Sequence, residues 1–139
     1  MSAQLLSREQ QLHLPQAKRI LLVEDHDINR MLLSDYLGYC GYEVESLSKA
    51  SDFFTTIDRF QPKLILLDLK LPEIDGYSLL EQIQSKPGVC EIPIIVVSAF
   101  AFKSDRERAT KLGACRYFVK PINLRELTIA IEQELACSL

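Results

Sequence analysis

A chain of 139 residues holds enough material for one domain with a proper core, and not comfortably for two. Its hydrophobic share of 47% and charged share of 25% are those of a soluble globular protein, and a net charge of −3 gives no basic face for nucleic acid. No apolar run is long enough to span a bilayer, and the opening MSAQLLSREQQLHLPQAK lacks the apolar core of a signal sequence, so no membrane partner is expected and the expected location is cytoplasmic.

Residues 1–18 are Gln-rich and polar, interrupted by Pro15, and read as a flexible tail ahead of one domain over 19–139. Arg19–Val23 then forms a short apolar strand that ends at Glu24-Asp25. A helix follows from Ile28 to about Tyr39, with Ile28, Met31, Leu32, Asp35 or Tyr36, and Tyr39 at helical spacing, Asp27 as its cap and Gly41 at its end. Tyr42–Ser46 alternates like a half-exposed strand, which suits a sheet edge. Ala50–Phe60 is helical, with Phe53, Phe54, Ile57 and Phe60 on one face and Pro62 limiting its extension.

The second half repeats the scheme. Lys63–Leu67 is a strand, and Gly76 to about Ser85 is a helix with Leu79, Leu80 and Ile83 inward. After the loop signal Pro87-Gly88, Pro93–Val97 is a buried strand ending at Ser98. Ser104–Leu112 is a charged, exposed helix stopped by Gly113, and Tyr117–Val119 is a strand ending at Lys120-Pro121. Asn123 caps a last amphipathic helix carrying Leu124, Leu127, Ile131 and Leu135. Cys40, Cys90, Cys115 and Cys137 are too widely and irregularly spaced for a zinc site or a disulfide framework, and read as reduced thiols in or near the core.

Strands alternating with helices predict an α/β, doubly wound (βα)5 flavodoxin-like three-layer sandwich. Its five-stranded parallel sheet has the order 2-1-3-4-5, and its site lies at the carboxyl ends of the strands. The chain ends almost as soon as the fifth helix does, so no attached output domain is expected. The residues just past strands 1, 3, 4 and 5 are Glu24 and Asp25, then Asp68, then Ser98, then Lys120. Asp68 is the odd one, an acid at the tip of the run LILLD, where an unpaired charge is costly. Three carboxylates held together repel, so they must protonate or acquire a cation, and one lysine cannot neutralise them. Oxygen-only ligands with room for water suit Mg²⁺, which would offset charge while Asp68 attacks a phosphoryl group. Lys120 and Ser98 supply donors for the other phosphoryl oxygens.

The motifs VEDHDINR at 23–30, LILLDLKLPEIDG at 64–76, VVSAF at 96–100 and YFVKPI at 117–122 resemble those of the response-regulator receiver domain, the CheY-like family. The likeness covers about residues 19 to 136, and AFAFKSDRERA looks particularly like stand-alone receivers of the DivK kind and those of hybrid kinases. The resemblance implies that Asp68 is the phosphoacceptor, and that Glu24, Asp25, Asp68 and the backbone carbonyl of Lys70 hold Mg²⁺. It implies that Ser98 is the switch hydroxyl, that Lys120 contacts the phosphoryl group, and that the Lys120-Pro121 bond is cis. Tyr117 matches the aromatic whose ring swings inward when Ser98 turns toward the phosphate. Lys70 and Phe100 match side chains that flank the approach of hydrolytic water, which makes slow dephosphorylation the expectation.

The implied partners are a sensor histidine kinase or histidine phosphotransfer protein and a downstream protein target. A homodimer through the fourth helix, fifth strand and fifth helix (Ser104–Leu112, Tyr117 and Asn123–Leu135) is a further expectation. No catalysis is expected beyond the chain's own phosphorylation and dephosphorylation. Taken singly, each site residue has an ordinary reading: Glu24-Asp25 as a solvated cap, Asp68 as a turn acid, Ser98 as a loop hydroxyl, Lys120 as a surface lysine, Tyr117 as packing. His26 reads as an exposed loop histidine. The competing reading of the whole is a receiver-like adaptor that binds without phosphorylation. A haloacid-dehalogenase-type phosphatase would carry a second acid where Lys70 stands, and a flavin site would need a phosphate loop after Val23.

Overall fold

The computed structural model describes residues 18–137. The tail expected over 1–18 therefore lies, apart from Lys18, outside the described residues. The elements run β1 (Arg19–Val23), α1 (Asp27–Tyr39), β2 (Glu43–Leu47), a 3-10 turn (Ala50–Asp52) leading into α2 (Phe53–Phe60), β3 (Leu64–Leu67), α3 (Gly76–Gln84), β4 (Ile94–Ser98), α4 (Lys103–Lys111), β5 (Arg116–Val119) and α5 (Leu124–Cys137). The strands form one five-stranded parallel sheet in the order β2-β1-β3-β4-β5.

Alternation along each strand separates two cores. Leu21, Val23, Ile65, Leu67, Ile94 and Val96 point to the face covered by α2, α3 and α4. Ile20, Leu22, Leu64, Leu66, Ile95 and Val97 point to the face covered by α1 and α5, through Leu33, Leu37, Leu127 and Ile131. β1, β3 and β4 are covered on both sides, which is why they read as continuous apolar runs rather than as alternating ones. β2 lies at an edge and is half-exposed, as its alternating sequence requires. Among the described residues no helix is long and apolar enough to cross a membrane. The four cysteines are free, as expected, but exposed rather than in or near the core.

α1 departs from its expected orientation. The stripe of Ile28, Met31, Leu32 and Tyr39 faces solvent, with Tyr39 91% exposed, and Leu33 and Leu37 face the sheet. The helix has two apolar stripes, and the branched pair four residues apart fills the groove over Ile20 and Leu22. Its cap also differs, because the residue with extended backbone is His26, whose Nδ1 accepts the Asn29 amide at 3.3 Å. Asp27 is already helical and its carboxylate is held by Arg30 at 2.6 Å. Gly41 closes the helix with φ of 101°, its amide donating to the Gly38 carbonyl at 3.0 Å. At the other end of the chain Asn123 Oδ1 accepts the Glu126 amide at 3.0 Å and caps α5.

The segment after β3 turns back on itself. Asp75 caps α3 by accepting the Tyr77 amide at 3.1 Å, and the Gly76 amide donates to the Leu69 carbonyl at 2.9 Å. A Cβ on Gly76 would lie 2.4 Å from Leu69 Cα and 2.5 Å from its carbonyl oxygen, so only glycine allows this approach. The contact pins the residue that follows Asp68. Gly76→Ala should therefore cost about 1–3 kcal/mol, the range for overpacking against rigid neighbours. Urea denaturation of the two proteins checks it, and equal midpoints would contradict the close approach.

Candidate functional site

β1, β3 and β4 end side by side, and β5 ends next to β4. The ladder runs slightly past the strands, with the Asp68 amide bonded to the Val23 carbonyl at 3.0 Å and the Lys120 amide to the Ser98 carbonyl at 2.8 Å. Glu24, Asp68 and Ser98 are thereby fixed at one edge while still buried, at 3%, 5% and 0% exposure.

Lys120 connects them. Its Nζ lies 2.7 Å from Glu24 Oε1 and 2.9 Å from Asp68 Oδ2. Oxygens of Glu24, Asp25 and Asp68 lie within 4.8 Å of one another, with Asp25 exposed and the other two buried. Burial pushes the Glu24 carboxyl above its ordinary value, and the Asp68 charge adds to this. The Lys120 hydrogen bond and the His26 amide, 3.1 Å from Oε2, only partly oppose it. Burial pulls the Lys120 ammonium down, but its bonds to Asp68 and Glu24 prevail and hold it above the usual lysine range. When ionised, three carboxylates against one ammonium leave a negative excess that a hard divalent cation matches, and the donor set is all oxygen.

The remaining residues surround this group. The Lys70 amide donates to Asp68 Oδ1 at 3.0 Å, so the backbone two residues on is turned toward the acid, while the Lys70 side chain is exposed. Ser98 Oγ accepts the Phe100 amide at 3.0 Å, and the Tyr117 hydroxyl donates to the Phe100 carbonyl at 2.7 Å. Tyr117 is half-buried; burial pushes its phenol up, and hydrogen bonding with Ser98 works the other way. Phe100 packs partly against the core on the α2, α3 and α4 side, and the Lys120-Pro121 bond is cis. Glu24, Asp25, Asp68, Lys70, Ser98 and Lys120 thus gather at this edge, Phe100 lies in the β4–α4 loop beside it, and Tyr117 lies within β5 and reaches that loop through its hydroxyl.

Several contacts were not read from the sequence. Arg30 reaches back from α1 to the backbone of Glu24 and Asp25. The Tyr77 hydroxyl on α3 donates to Asp105 Oδ1 on α4 at 3.0 Å, and Arg108 lies 3.9 Å above the Tyr77 ring. His26 is an exposed loop histidine, as expected, and also caps α1. Of these only Arg30 had a signal, an acid and a base at i and i+3 in VEDHDINR.

Residues 20–132 match the response regulator receiver domain. The transcriptional regulatory protein GltR of Pseudomonas aeruginosa is 37% identical over 115 residues, which is 83% of this chain and 48% of GltR. The polar-differentiation response regulator DivK of Brucella anthropi is 31% identical over 118 residues, 85% of this chain and 96% of DivK. The chain thus spans about half the length of GltR and nearly all of DivK. Among solved structures, a CheY-like receiver domain protein from Methanospirillum hungatei has a TM-score of 0.79 at 30% identity, over 87% of this chain and 95% of that one. The receiver domain of the sensor histidine kinase PA1611 of P. aeruginosa, with a magnesium ion coordinated in its active-site cleft, has a TM-score of 0.78 at 30% identity, over 86% and 98%. With its five-stranded order, its acidic strand ends and these likenesses together, the chain belongs to the response regulator receiver domain family.

Proposed function

We propose that this receiver is phosphorylated on Asp68 by a sensor histidine kinase or histidine phosphotransfer protein, and that it signals through a downstream protein. The observation that carries the reading is the setting of Asp68. It is a carboxylate held rigidly at the end of a buried strand, within hydrogen-bond reach of one ammonium and beside two further acids. In the reaction one Asp68 oxygen attacks phosphorus, and the phosphorus–nitrogen bond to the donor imidazole breaks with its electron pair passing to nitrogen. An acyl phosphate remains on Asp68. Glu24, Asp25, Asp68 and the Lys70 carbonyl would hold Mg²⁺, which would supply neutralisation of the phosphoryl charge.

Lys120 already stands 2.9 Å from Asp68 Oδ2 and needs little movement to donate to a phosphoryl oxygen. Ser98 exchanges its bond from the Phe100 amide for donation to another such oxygen. That exchange loosens the β4–α4 loop, which Tyr117 holds through the Phe100 carbonyl, and biases the α4–β5–α5 face between two arrangements. The face is a candidate surface for the target or for a second copy. On the other side of the site lies a groove of about 510 Å³ lined by Leu32, Leu33, Pro121, Ile122 and Leu124 together with Glu24 and Lys120. Apolar surface that runs directly into the acid cluster suits a donor that must bring its histidine to Asp68. Water returns the protein to its starting state by attacking phosphorus and regenerating the carboxylate, so the chain catalyses only its own phosphorylation and dephosphorylation.

Incubation with Mg²⁺ and acetyl phosphate or phosphoramidate, read by intact mass, should add one phosphoryl group to the wild type and none to Asp68→Asn. No gain with any phosphodonor would favour an adaptor that works by binding alone. Lys70, exposed beside Asp68, and Phe100, packed at the switch loop, screen the acyl phosphate from water in this reading. Loss of phosphate should accordingly be severalfold faster in Phe100→Ala, and an unchanged rate would remove the screening role.

A further inference from the structure

We propose that Arg30 is a positioning residue for the acid cluster, holding the β1–α1 turn in the one shape that brings Glu24 and Asp25 to Asp68. The inference rests on the reading of that cluster as a Mg²⁺ site. β1 ends at Val23 and α1 begins at Asp27, so the carbonyls of Glu24 and Asp25 fall between a ladder that has stopped and a helix that has not started. One side chain serves both. Arg30 Nη1 donates to the Glu24 carbonyl at 2.9 Å and lies 3.4 Å from the Asp25 carbonyl, and Nη2 donates to Asp27 Oδ1 at 2.6 Å.

The arrangement uses the planar fork of the guanidinium, which a single ammonium cannot reproduce. One nitrogen ties the turn to α1, the second is anchored on Asp27, and the side chain is only 21% exposed although its partner Asp27 is 86% exposed. The carboxylates of Glu24 and Asp25 are aimed by the backbone that Arg30 holds. The Glu24 carboxylate is further steadied by the His26 amide at 3.1 Å, within the same turn.

Charge and positioning make opposite predictions here. A cation near a metal site repels the metal, so a role through charge alone means that deleting Arg30 tightens Mg²⁺ binding. Positioning means that deletion weakens it, because the ligands must then be ordered at the moment of binding. The Asp27 carboxylate offsets much of the guanidinium charge, which leaves positioning as the larger effect.

The test is calorimetric titration of Mg²⁺ into the metal-free full chain, with thermal midpoints and amide exchange at His26 measured alongside. Arg30→Ala should raise the Mg²⁺ dissociation constant about tenfold, the lower end for outer-shell partners of metal ligands, and speed exchange at the His26 amide. Arg30→Lys keeps the charge and loses the fork, and should bind nearly as weakly as the alanine variant. Asp27→Ala, which frees the outer end of the guanidinium, should move affinity in the same direction by less, and these two variants carry the test if Arg30→Ala does not fold. A folded Arg30→Ala that binds Mg²⁺ as tightly as wild type, or more tightly, overturns the proposal, as does full recovery in Arg30→Lys. Wild-type protein that binds no Mg²⁺ overturns the reading of the site, and this proposal with it.

Discussion

The ammonium of Lys120 between Glu24 and Asp68 is the interaction on which the rest of this edge depends. Both carboxylates are nearly sealed from water, and two like charges so placed cannot persist without a counter-charge. Taking one partner out of such a buried arrangement typically costs about 3–5 kcal/mol, because the groups left behind remain unpaired. Lys120 comes from the end of β5, and its two partners come from the ends of β1 and β3. The pair of bonds therefore clamps three of the five strand ends together. It also leaves the cluster short of positive charge, since exposed Asp25 adds a third acid and one ammonium cannot neutralise three carboxylates. A site of this kind is held together by Lys120 and left with an acidic excess that could hold a metal ion.

Burial on both faces explains why the strands were legible in the sequence. LILL and IIVV are apolar throughout, and such runs have few other homes in a chain of this composition. Once the strands and the alternating helices are read, strand order follows from few alternatives, and the acids, hydroxyl and lysine fall at one edge without any knowledge of side-chain geometry. What was misread is what pattern cannot decide. α1 has two apolar stripes, and the sheet takes Leu33 and Leu37 because their spacing matches the groove above Ile20 and Leu22. Its cap shifted from Asp27 to His26 because the Arg30 guanidinium competes for the Asp27 carboxylate, a contest between side chains that residue preference at caps does not record. Arg30, Tyr77 and Asp105 act through single hydrogen bonds across elements, and no periodicity marks those.

The loop after β4 joins the site to the outer surface by few bonds. Ser98 holds the Phe100 amide and Tyr117 holds its carbonyl, so one residue of backbone is shared between the strand end and β5. α4, which follows that loop, has only Ala109 fully buried, and its other ties include the Tyr77–Asp105 bond, the stacking of Arg108 on Tyr77 and Arg106 over the Tyr117 ring. An element with so little apolar burial can shift at small cost, whereas β3 and α3, sealed by Leu64–Leu67, Leu79, Leu80 and Ile83, cannot. The rigid side of the molecule carries the acid, and the lightly held side carries the α4–β5–α5 face proposed above as the surface for a target.

The central claim is that Asp68, among all the acids at this edge, takes the phosphoryl group. Borohydride reduces an acyl phosphate to the alcohol and turns the modified aspartate into homoserine, which peptide sequencing by mass spectrometry locates. After treatment with phosphodonor and Mg²⁺, the account predicts homoserine at position 68 and nowhere else. Homoserine at position 25, reduction of Glu24, or no reduced residue under conditions where the protein is folded would contradict it.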